Sequence, residues 1–420
     1  MEAGRTGARA TAPAASRDPA PSAPLLRPFP GLRYDEDVVG PLGSVLAPPH
    51  TEIARERREA ALAAGPHLVT HLERPEYADP GDGPRPAVLT WLQRGVLVQD
   101  PPSLYVLQQS AGGRSHQFLL GELTVGAHGD ERVHPHEATM EHAVRSRLER
   151  LEATRVDSEP LLLADAGVAR PGDDPVDAPA LGPLVEQVTR HGAHVASTRD
   201  GAGTAVDVWR VDDEHQVHAL ATAAGGRRWI IGDGHHRYSA AQRDAQRSTA
   251  GTSAVLAALA VPGAAPLEVR ALHRVAPRGA GELLVRAAPR AEVLAPVDGT
   301  ALREAVAGRE AVAGLQEPQC VLLSAGDTWL LHTPGGTATA TGAAAWVDEM
   351  LAAGGVPGQL VQYTTDPGAV LEAGDGVDVV LLPAPRWSEL ARAVTQGRLM
   401  GRKTTSYRPK PLAGAVLRLR

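Results

Sequence analysis

The apolar and polar positions of the chain follow both strand-like and helix-like patterns. Apolar residues dominate 104–109 and 117–123, which flank an Ala-Gly-Gly-Arg turn, so we predict a β-hairpin there. Together with helical spacing elsewhere, this predicts an α/β fold of mixed α+β type. Further strands are predicted at 44–47, 161–164, 206–211, 254–261, 267–275, 319–323, 328–332, 360–364 and 377–383, and helices at 52–64, 88–95, 140–153, 181–191, 215–223, 345–353 and 387–396.

The densest polar cluster lies near the middle of the chain. The apolar residues 229–231 are followed by Gly-Asp-Gly-His-His-Arg at 232–237 and then by an Ala-rich stretch. We predict a buried strand that turns sharply into a helix. The polar residues of the turn then lie at the helix N-terminus.

This helix N-terminus favours an anion, because free backbone N–H groups and the helix dipole present partial positive charge there. Arg237 adds a planar fork of donors that suits phosphate or carboxylate. A purely structural interpretation stands beside this one, since Asp-Gly is a common turn and a helical histidine is more often packed or solvated than catalytic. The density of Asp233, His235, His236 and Arg237 favours a functional site.

A second polar cluster precedes the helix predicted at 140–153. His134 and His136 alternate with apolar residues, so both can face one side of an extended segment and reach a metal or a phosphate. The alternative is an ordinary helix start, where the dipole favours Glu137 whatever its function. The pattern alone leaves both interpretations open.

A third cluster contains both lysines of the chain. Of 42 Lys and Arg residues, only Lys403 and Lys410 are lysines, and they lie in one short basic segment. Lysine depletion of this kind is typical of a GC-rich genome, so their survival suggests that arginine does not serve at these positions. A lysine beside the hydroxyls of Thr404 and Thr405 suits phosphate oxygens, although a solvated basic surface is the alternative.

Composition narrows the class of protein. With 420 residues, 43% of them hydrophobic, the chain is long enough for two or three domains. A formal net charge of −7 argues against a nucleic-acid partner, and the absence of a long apolar segment or an apolar signal core predicts a cytoplasmic protein without a membrane partner. We expect an Ala/Pro-rich disordered tail at 1–24, an α/β core at 25–275 and a C-terminal α/β domain at 276–420.

The run at 233–237 resembles the Asp-Gly-His-His-Arg signature of a bacterial and archaeal family of unknown function. More distantly, it resembles the Gly-Cys-His-Arg-Tyr loop of sulfiredoxin and the Gly-Glu-Arg-Arg loop of ParB-type partition proteins. The resemblance implies a ParB/sulfiredoxin-like core whose loop holds nucleotide phosphates, and some members of that superfamily are free-serine kinases. His235 stands at the position of sulfiredoxin's reactive cysteine, which argues against sulfur chemistry.

Other motifs of the family recur across residues 25–420. Arg33 opens an Arg-Tyr pair, His136-Glu137 begins the family's His-Glu-Arg-Thr motif, and His273-Arg274 closes a Thr-His-Arg motif that a strand surface would also explain. The terminal Lys-Ser-Thr and Pro-Lys motif is matched by Lys403, Thr404, Thr405, Pro409 and Lys410. The chain departs from the family at His50, Thr51, Ala138 and Leu272, where the family has Tyr, Asp, Arg and Thr.

This resemblance implies a phosphotransferase that uses ATP or ADP with Mg²⁺ and acts on a small polar metabolite, free serine being the example by analogy. No Walker-A motif is present, which excludes an ordinary P-loop kinase. The residues assigned to catalysis are Asp233, His235, His236 and Glu137; to nucleotide phosphates Gly234, Arg237, Lys403, Thr404, Thr405 and Lys410; to substrate His136, His273, Arg274 and Arg33; and to Mg²⁺ Asp233 and Glu137.

Two alternatives belong to other classes of protein. Asp233, His235, His236 and His136 could form the metal site of a hydrolase, because carboxylate and imidazole are suitable ligands. A non-catalytic, nucleotide-responsive module of ParB type would bind nucleotide without turning it over. The sequence does not indicate an oligomeric state.

Overall fold

The computed structural model confirms the mixed α/β class. The residues that it describes are 24–46, 65–73, 87–166, 180–294, 319–324, 327–334, 339–365 and 376–420. Residues 1–23 of the predicted tail, the helix predicted at 52–64, and the departures His50 and Thr51 lie outside the described residues.

Twelve of the described strands form one mixed sheet. Its main order is β5-β10-β7-β11-β4-β3-β2-β20-β6, with β1 beside β4 and with β9 and β8 extending from β3. The strands are β1 Leu26–Arg27, β2 Phe29–Tyr34, β3 Leu97–Ala111, β4 Arg114–Gly126, β5 Val133–His134, β6 Val156–Asp157, β7 Leu161–Asp165, β8 Ala193–Arg199, β9 Ala205–Val211, β10 Trp229–Asp233, β11 Thr252–Ala260 and β20 Leu417–Leu419.

The predicted hairpin is confirmed and is longer than its apolar core. Strands β3 and β4 pair from Tyr105 opposite Leu120 to Ala111 opposite Arg114. Gly112 and Gly113 form the two-residue turn with φ of +56° and +74°. Positive φ at both turn positions matches the twist of the flanking strands and favours glycine.

Strands β7 and β10 are buried on both faces, which explains their uninterrupted apolar runs. Along β7, Leu161 and Leu163 pack into one core while Leu162 and Ala164 pack into the other. Successive side chains of a strand point to opposite faces, so a strand covered on both faces has no polar positions. Strand β10 is likewise buried from Trp229 to Gly232, and Asp233 at its end is partly exposed.

Helices cover this sheet and the second one. Helices at 140–153 and 181–191 were predicted close to their observed bounds, and the helix predicted after residue 234 is confirmed. The helices are α1 Glu36–Val39, α2 Thr70–Glu73, α3 Ala87–Gln93, α4 Glu141–Thr154, α5 Leu181–His191, α6 Glu214–Gly225, α7 His235–Arg247, α8 Gly281–Ala287, α9 Ala340–Ala353 and α10 Trp387–Thr395, with short 3₁₀ helices at Leu42–Ser44 and Gly358–Leu360.

A second sheet of six described strands has the order β14-β16-β15-β18-β13-β17, and β12 and β19 form a separate pair. Helices α8 and α9 pack on the core of this sheet. The strands are β12 Glu268–Ala271, β13 His273–Pro277, β14 Arg290–Leu294, β15 Gln319–Ser324, β16 Asp327–His332, β17 Gln362–Thr364, β18 Val377–Leu381 and β19 Thr405–Arg408.

Two strand predictions are wrong in part. The run 267–275 is not one strand, because it breaks at Leu272 and its halves β12 and β13 pair with different partners. The segment predicted as a strand at 44–47 is described as far as residue 46. Its first residue, Ser44, ends a 3₁₀ helix that spans Leu42–Ser44, and residues 45–46 are not in a strand. In both cases an apolar run of a few residues does not define its pairing partner, and tertiary contacts decide the backbone conformation.

The chain returns to the first sheet at its last strand. Strand β20 pairs with β2 and β6, and β19 pairs with β12, so residues after 400 contact elements that precede residue 276. The domain division at 275/276 falls within β13 and stays a prediction. No helix in the described ranges is long and apolar enough to span a membrane.

Candidate functional site

Helix α7 begins one residue after β10 ends, at a turn that requires glycine. Gly234 has a φ of +97°, in the left-handed region that residues with a Cβ rarely adopt. A Cβ at this position would lie 2.6 Å from Leu161 Cδ2 of strand β7. Glycine therefore lets the turn approach the sheet closely and aim the helix N-terminus at the polar cluster.

The first turn of α7 presents backbone donors that have no acceptor in the described part of the chain. Gly234 has no side chain to cap the helix, and Tyr238 is the first helical residue whose N–H bonds back, to the carbonyl of Gly234. Among the described residues, nothing accepts a hydrogen bond from the N–H groups of His235, His236 and Arg237. Such orphan donors are the usual components of an anion site.

Asp233 lies in a set of ion pairs, which we call the Asp233 network (Asp233, Arg237, Glu159 and Lys410). Its Oδ2 is 2.5 Å from Arg237 Nη2 and its Oδ1 is 2.7 Å from Lys410 Nζ. Burial alone would raise the pKa of Asp233, but Lys410 and Arg237 together hold it well below its usual range. The carboxylate is therefore ionised, and both of its oxygens are paired with cations.

Arg237 is held on its other side by the chain before β7. Its Nη1 donates to the backbone carbonyls of Glu159 and Pro160 and lies 3.6 Å from the Glu159 carboxylate. The predicted phosphate ligand thus has protein partners at both terminal nitrogens. Sequence analysis did not single out Glu159, because an acidic residue before a proline gives no local signal of a contact 78 residues away.

A second group of residues, the Glu137 cluster, consists of Glu137, His136, His235, Thr404 and Thr405. Glu137 Oε1 accepts hydrogen bonds from the N–H groups of Thr404 and Thr405, both at 2.9 Å, and from Thr405 Oγ1 at 3.0 Å. The same hydroxyl is 2.8 Å from His136 Nε2. Residues of the second and third polar clusters of the sequence therefore meet at the start of α7, which carries the first cluster.

Charge is retained on Glu137 although the residue is buried. Burial would raise its pKa, but the facing rings of His235 and His136 and the N–H groups of Thr405 and Thr404 lower it below the usual range. The Glu137 side chain is 11% exposed. An ionised carboxylate therefore lies beside the N-terminus of α7.

The three histidines of the site are neutral at pH 7. Burial, with a contribution from His235, lowers the pKa of His136 to about 3. Burial, followed by the nearby Lys403, lowers the pKa of His236 to about 4, and burial also lowers the pKa of His235. The His136 and His235 rings meet edge to face at 4.6 Å, an arrangement that protonation of both would disfavour.

Hydrogen bonds indicate which ring nitrogen carries the proton. His235 Nε2 accepts from the N–H of His136 at 3.4 Å, and His236 Nε2 accepts from the N–H of Met140 at 3.2 Å. In a neutral imidazole the other nitrogen is then the donor. Nδ1–H of His235 and of His236 are therefore available as uncharged donors.

Lys403 differs from Lys410 in its surroundings. It is partly buried, and among the described residues its ammonium has no hydrogen-bond or ion-pair partner. It is close enough to His235 and His236 to lower the pKa of both rings. Lys403 thus adds a positive charge beside the orphan donors of α7.

The three other residues predicted to bind substrate, His273, Arg274 and Arg33, contact other parts of the protein. His273 Nδ1 accepts from the N–H of Leu382 at 3.1 Å, within the second sheet. The guanidinium of Arg274 is fully buried and pairs with Asp348. Arg33 Nε donates to Asp100 Oδ2 at 2.7 Å, and Arg33 also lines a cavity of about 250 Å³. Of these three, Arg274 reaches the basic segment, where its Nη1 donates to the carbonyl of Lys403.

A resident metal does not fit the residues present. Within the described ranges, no group of three or more His, Cys, Asp and Glu side chains could hold a metal ion. Asp233 is paired with two cations, and Glu137 Oε1 accepts three hydrogen bonds. Neither the predicted Mg²⁺ ligands nor the alternative hydrolase set forms a metal site of protein groups alone.

Comparison with known proteins identifies the family. The model of a family described as protein of unknown function (DUF1015) matches residues 26–348, which is more than half of the chain, and the protein belongs to this family. The resemblance derived from the Asp-Gly-His-His-Arg motif is thereby confirmed. No curated protein matches the sequence.

Solved structures give remote likenesses. A free serine kinase in complex with AMP is 16% identical, with a TM-score of 0.37, and the alignment covers 68% of this chain and 86% of that one. A conserved hypothetical protein from Pyrococcus furiosus is 16% identical, with a TM-score of 0.37 and coverage of 68% and 90%. A C-terminally truncated SbnI from Staphylococcus aureus is 11% identical, with a TM-score of 0.37 and coverage of 70% and 85%.

Proposed function

We propose that the protein is a phosphotransferase that binds ATP or ADP with its phosphates at the N-terminus of α7. The observation that carries this proposal is the juxtaposition of unpaired backbone donors with an unpaired cation. The N–H groups of His235, His236 and Arg237 lack acceptors among the described residues, and Lys403 directly precedes Thr404 and Thr405, which bind Glu137 within the cluster that contains His235. Orphan N–H groups, a helix dipole and an ammonium together suit phosphate oxygens.

The neutral histidines support the same proposal. Nδ1–H of His235 and of His236 can donate to phosphate oxygens without adding charge, since Nε2 of each ring is an acceptor. Phosphoryl transfer depends mainly on positioning and on electrostatic stabilisation of the transferred group. Lys403 supplies the positive charge in this arrangement, and the Nδ1–H groups of the two rings orient the phosphate.

Glu137 is the better of the two predicted bases. Both oxygens of Asp233 are paired with cations, whereas only Oε1 of Glu137 has hydrogen-bond partners among the described residues. Oε2 of Glu137 is then free to accept the proton of an acceptor hydroxyl. The hydroxyl oxygen attacks the terminal phosphorus, the bond from that phosphorus to the nucleotide breaks, and the shortened nucleotide leaves with the bond's electron pair.

Asp233 has a supporting role in this scheme. Lys410 and Arg237 neutralise it and hold it at the end of β10, which fixes the turn that carries the phosphate-binding N–H groups. Any Mg²⁺ would enter with the nucleotide as part of the substrate. The acceptor class, a small hydroxyl-bearing metabolite such as free serine, follows from the motif resemblance alone.

The test is a titration of the purified protein with ATP and with ADP in the presence of Mg²⁺, followed by incubation with amino-acid and hydroxy-acid acceptors. We expect binding of at least one nucleotide, and equal amounts of phosphorylated acceptor and shortened nucleotide. The matched control is Glu137→Gln, which should bind nucleotide and fail to transfer. Absence of binding would contradict the proposal, and binding without transfer to any acceptor would favour a nucleotide-responsive module.

A further inference from the structure

A chain of contacts links the second sheet to Lys403. Arg274 of β13 is fully buried, and its Nε and Nη2 donate to the two carboxylate oxygens of Asp348 at 2.9 and 2.7 Å. Asp348 lies on helix α9, which packs on the second sheet. The pairing is bidentate, so it fixes the plane of the guanidinium as well as its position.

The third nitrogen of this guanidinium reaches the basic segment. Arg274 Nη1 donates to the carbonyls of Leu272 at 2.5 Å and of Lys403 at 3.0 Å. The Tyr363 ring lies 4.9 Å from the guanidinium carbon and covers one face. Arg274 therefore has partners at its edges and on its face, and one of them is the backbone of Lys403.

The backbone of Lys403 needs such a restraint. Its φ of +52° lies in the left-handed region, which is unfavourable for a side chain larger than that of glycine. Such conformations persist where the surrounding structure fixes them. Here the Lys403 carbonyl is held by Arg274, and the next two N–H groups, of Thr404 and Thr405, are held by Glu137.

We propose that Asp348 is a positioning residue: it orients Arg274, and Arg274 holds Lys403 in the backbone conformation that places its ammonium beside the N-terminus of α7. This inference rests on the proposed function, because it assigns Lys403 to the nucleotide phosphates. It assigns Arg274 to the support of Lys403, where the sequence predicted a substrate contact. Asp348 thereby couples helix α9 of the second sheet to the site.

The test is a double-mutant cycle on ADP and ATP affinity, measured by calorimetry with Asp348→Asn, Lys403→Met and the double variant. Asp348→Asn keeps the shape of the side chain and removes the charge that orients Arg274. We expect each single change to weaken binding about tenfold, and the double change to weaken it no further than Lys403→Met alone. Both single variants should also show a smaller loss of affinity with added salt, since Lys403→Met removes the Lys403 ammonium and Asp348→Asn misplaces it.

The matched control is Glu349→Gln, which removes a negative charge from the exposed neighbour on the same helix and should leave affinity unchanged. Additive effects of Asp348→Asn and Lys403→Met would overturn the positioning role while leaving the proposed function intact. Failure of the wild-type protein to bind either nucleotide would overturn both. If Asp348→Asn does not fold, Asp348→Glu replaces it in the same cycle. It retains the charge but displaces the carboxylate by one methylene, so we expect a smaller loss of affinity that is again absent in the Lys403→Met background.

Discussion

The two lysines of this chain belong to the same motif but to different electrostatic surroundings. Lys410 is 10% exposed and pairs with Asp233 at 2.7 Å, within a network in which carboxylates and cations face each other. Lys403 has no partner of opposite charge among the described residues and lies beside histidines that burial keeps neutral. Removing one partner of a buried ion pair destabilises the fold, whereas a charge without a partner is available to a ligand.

The residues around each lysine differ in the same way. In the Asp233 network, Arg237 is held between Asp233 and the carbonyls of Glu159 and Pro160, so its fork of donors is used within the protein. Beside Lys403, the donors of α7 and the second oxygen of Glu137 have no such partners in the described part of the chain. We infer that the Asp233 network is support and that the Lys403 side receives the ligand.

The largest effect is expected from Lys410→Met. This change removes one of the two cations that pair with an ionised carboxylate that is 27% exposed, and we expect the free energy of unfolding to fall by about 2 kcal/mol. Urea unfolding measures it, and adding Asp233→Asn to the variant should restore part of the loss, because the oxygen that has lost its cation then no longer belongs to a charged group. Unchanged stability combined with weaker nucleotide binding would instead place Lys410 on the ligand.

Acid should distinguish the histidines from the Asp233 network. The folded-state pKa values of His136, about 3, and His236, about 4, lie below the ordinary value, so the unfolded chain binds more protons as pH falls. The stability that these rings contribute is complete above about pH 6.5 and is lost below it, at about 1 kcal/mol per pH unit for each buried ring. The pKa of Asp233 is lowered, so this carboxylate loses its contribution to the free energy of unfolding only when the pH falls below about 4, the ordinary pKa of an aspartate.

Urea unfolding at several pH values between 5 and 8 measures this slope. His136→Gln should flatten it, whereas the exposed His215→Gln should not. A wild-type stability that does not change across this interval would contradict the assignment of buried neutral histidines.

The smallest effect is expected from Thr405→Val. The change keeps the side-chain shape and removes the hydroxyl that bridges Glu137 and His136, at 3.0 and 2.8 Å. Two N–H groups still hold Glu137, so the free energy of unfolding should fall by only about 1 kcal/mol. A loss as large as that of Lys410→Met would mean that both sets of residues are structural, and the distinction between them would fail.

Local pattern predicts the elements that carry the site. The apolar run before Gly232 and the Ala-rich run after Arg237 are sufficient to predict strand β10, its turn and helix α7. The Gly-Gly hairpin is equally local. These features depend on residues a few positions apart, which is the range over which backbone preferences act.

Local sequence pattern does not predict contacts between residues that lie far apart in the chain. Glu137 meets Thr405 over a separation of 268 residues, and Arg274 meets Lys403 over 129. The family motifs indicate that such residues share a site but not which of them face a ligand. Asp348 gives no signal at all, because a single acidic residue in a helix is ordinary until the structure places it against a buried arginine.

The most direct test of the account is the affinity of the two lysine variants for ADP, measured by calorimetry with Mg²⁺ beside the wild-type protein. We expect Lys403→Met to weaken binding about tenfold with little change in stability, and Lys410→Met, at a temperature where it is folded, to bind more nearly as the wild type does. Equal affinity of Lys403→Met and the wild-type protein for ADP would contradict the assignment of Lys403 to the phosphates, and with it the distinction between the two sides of the site.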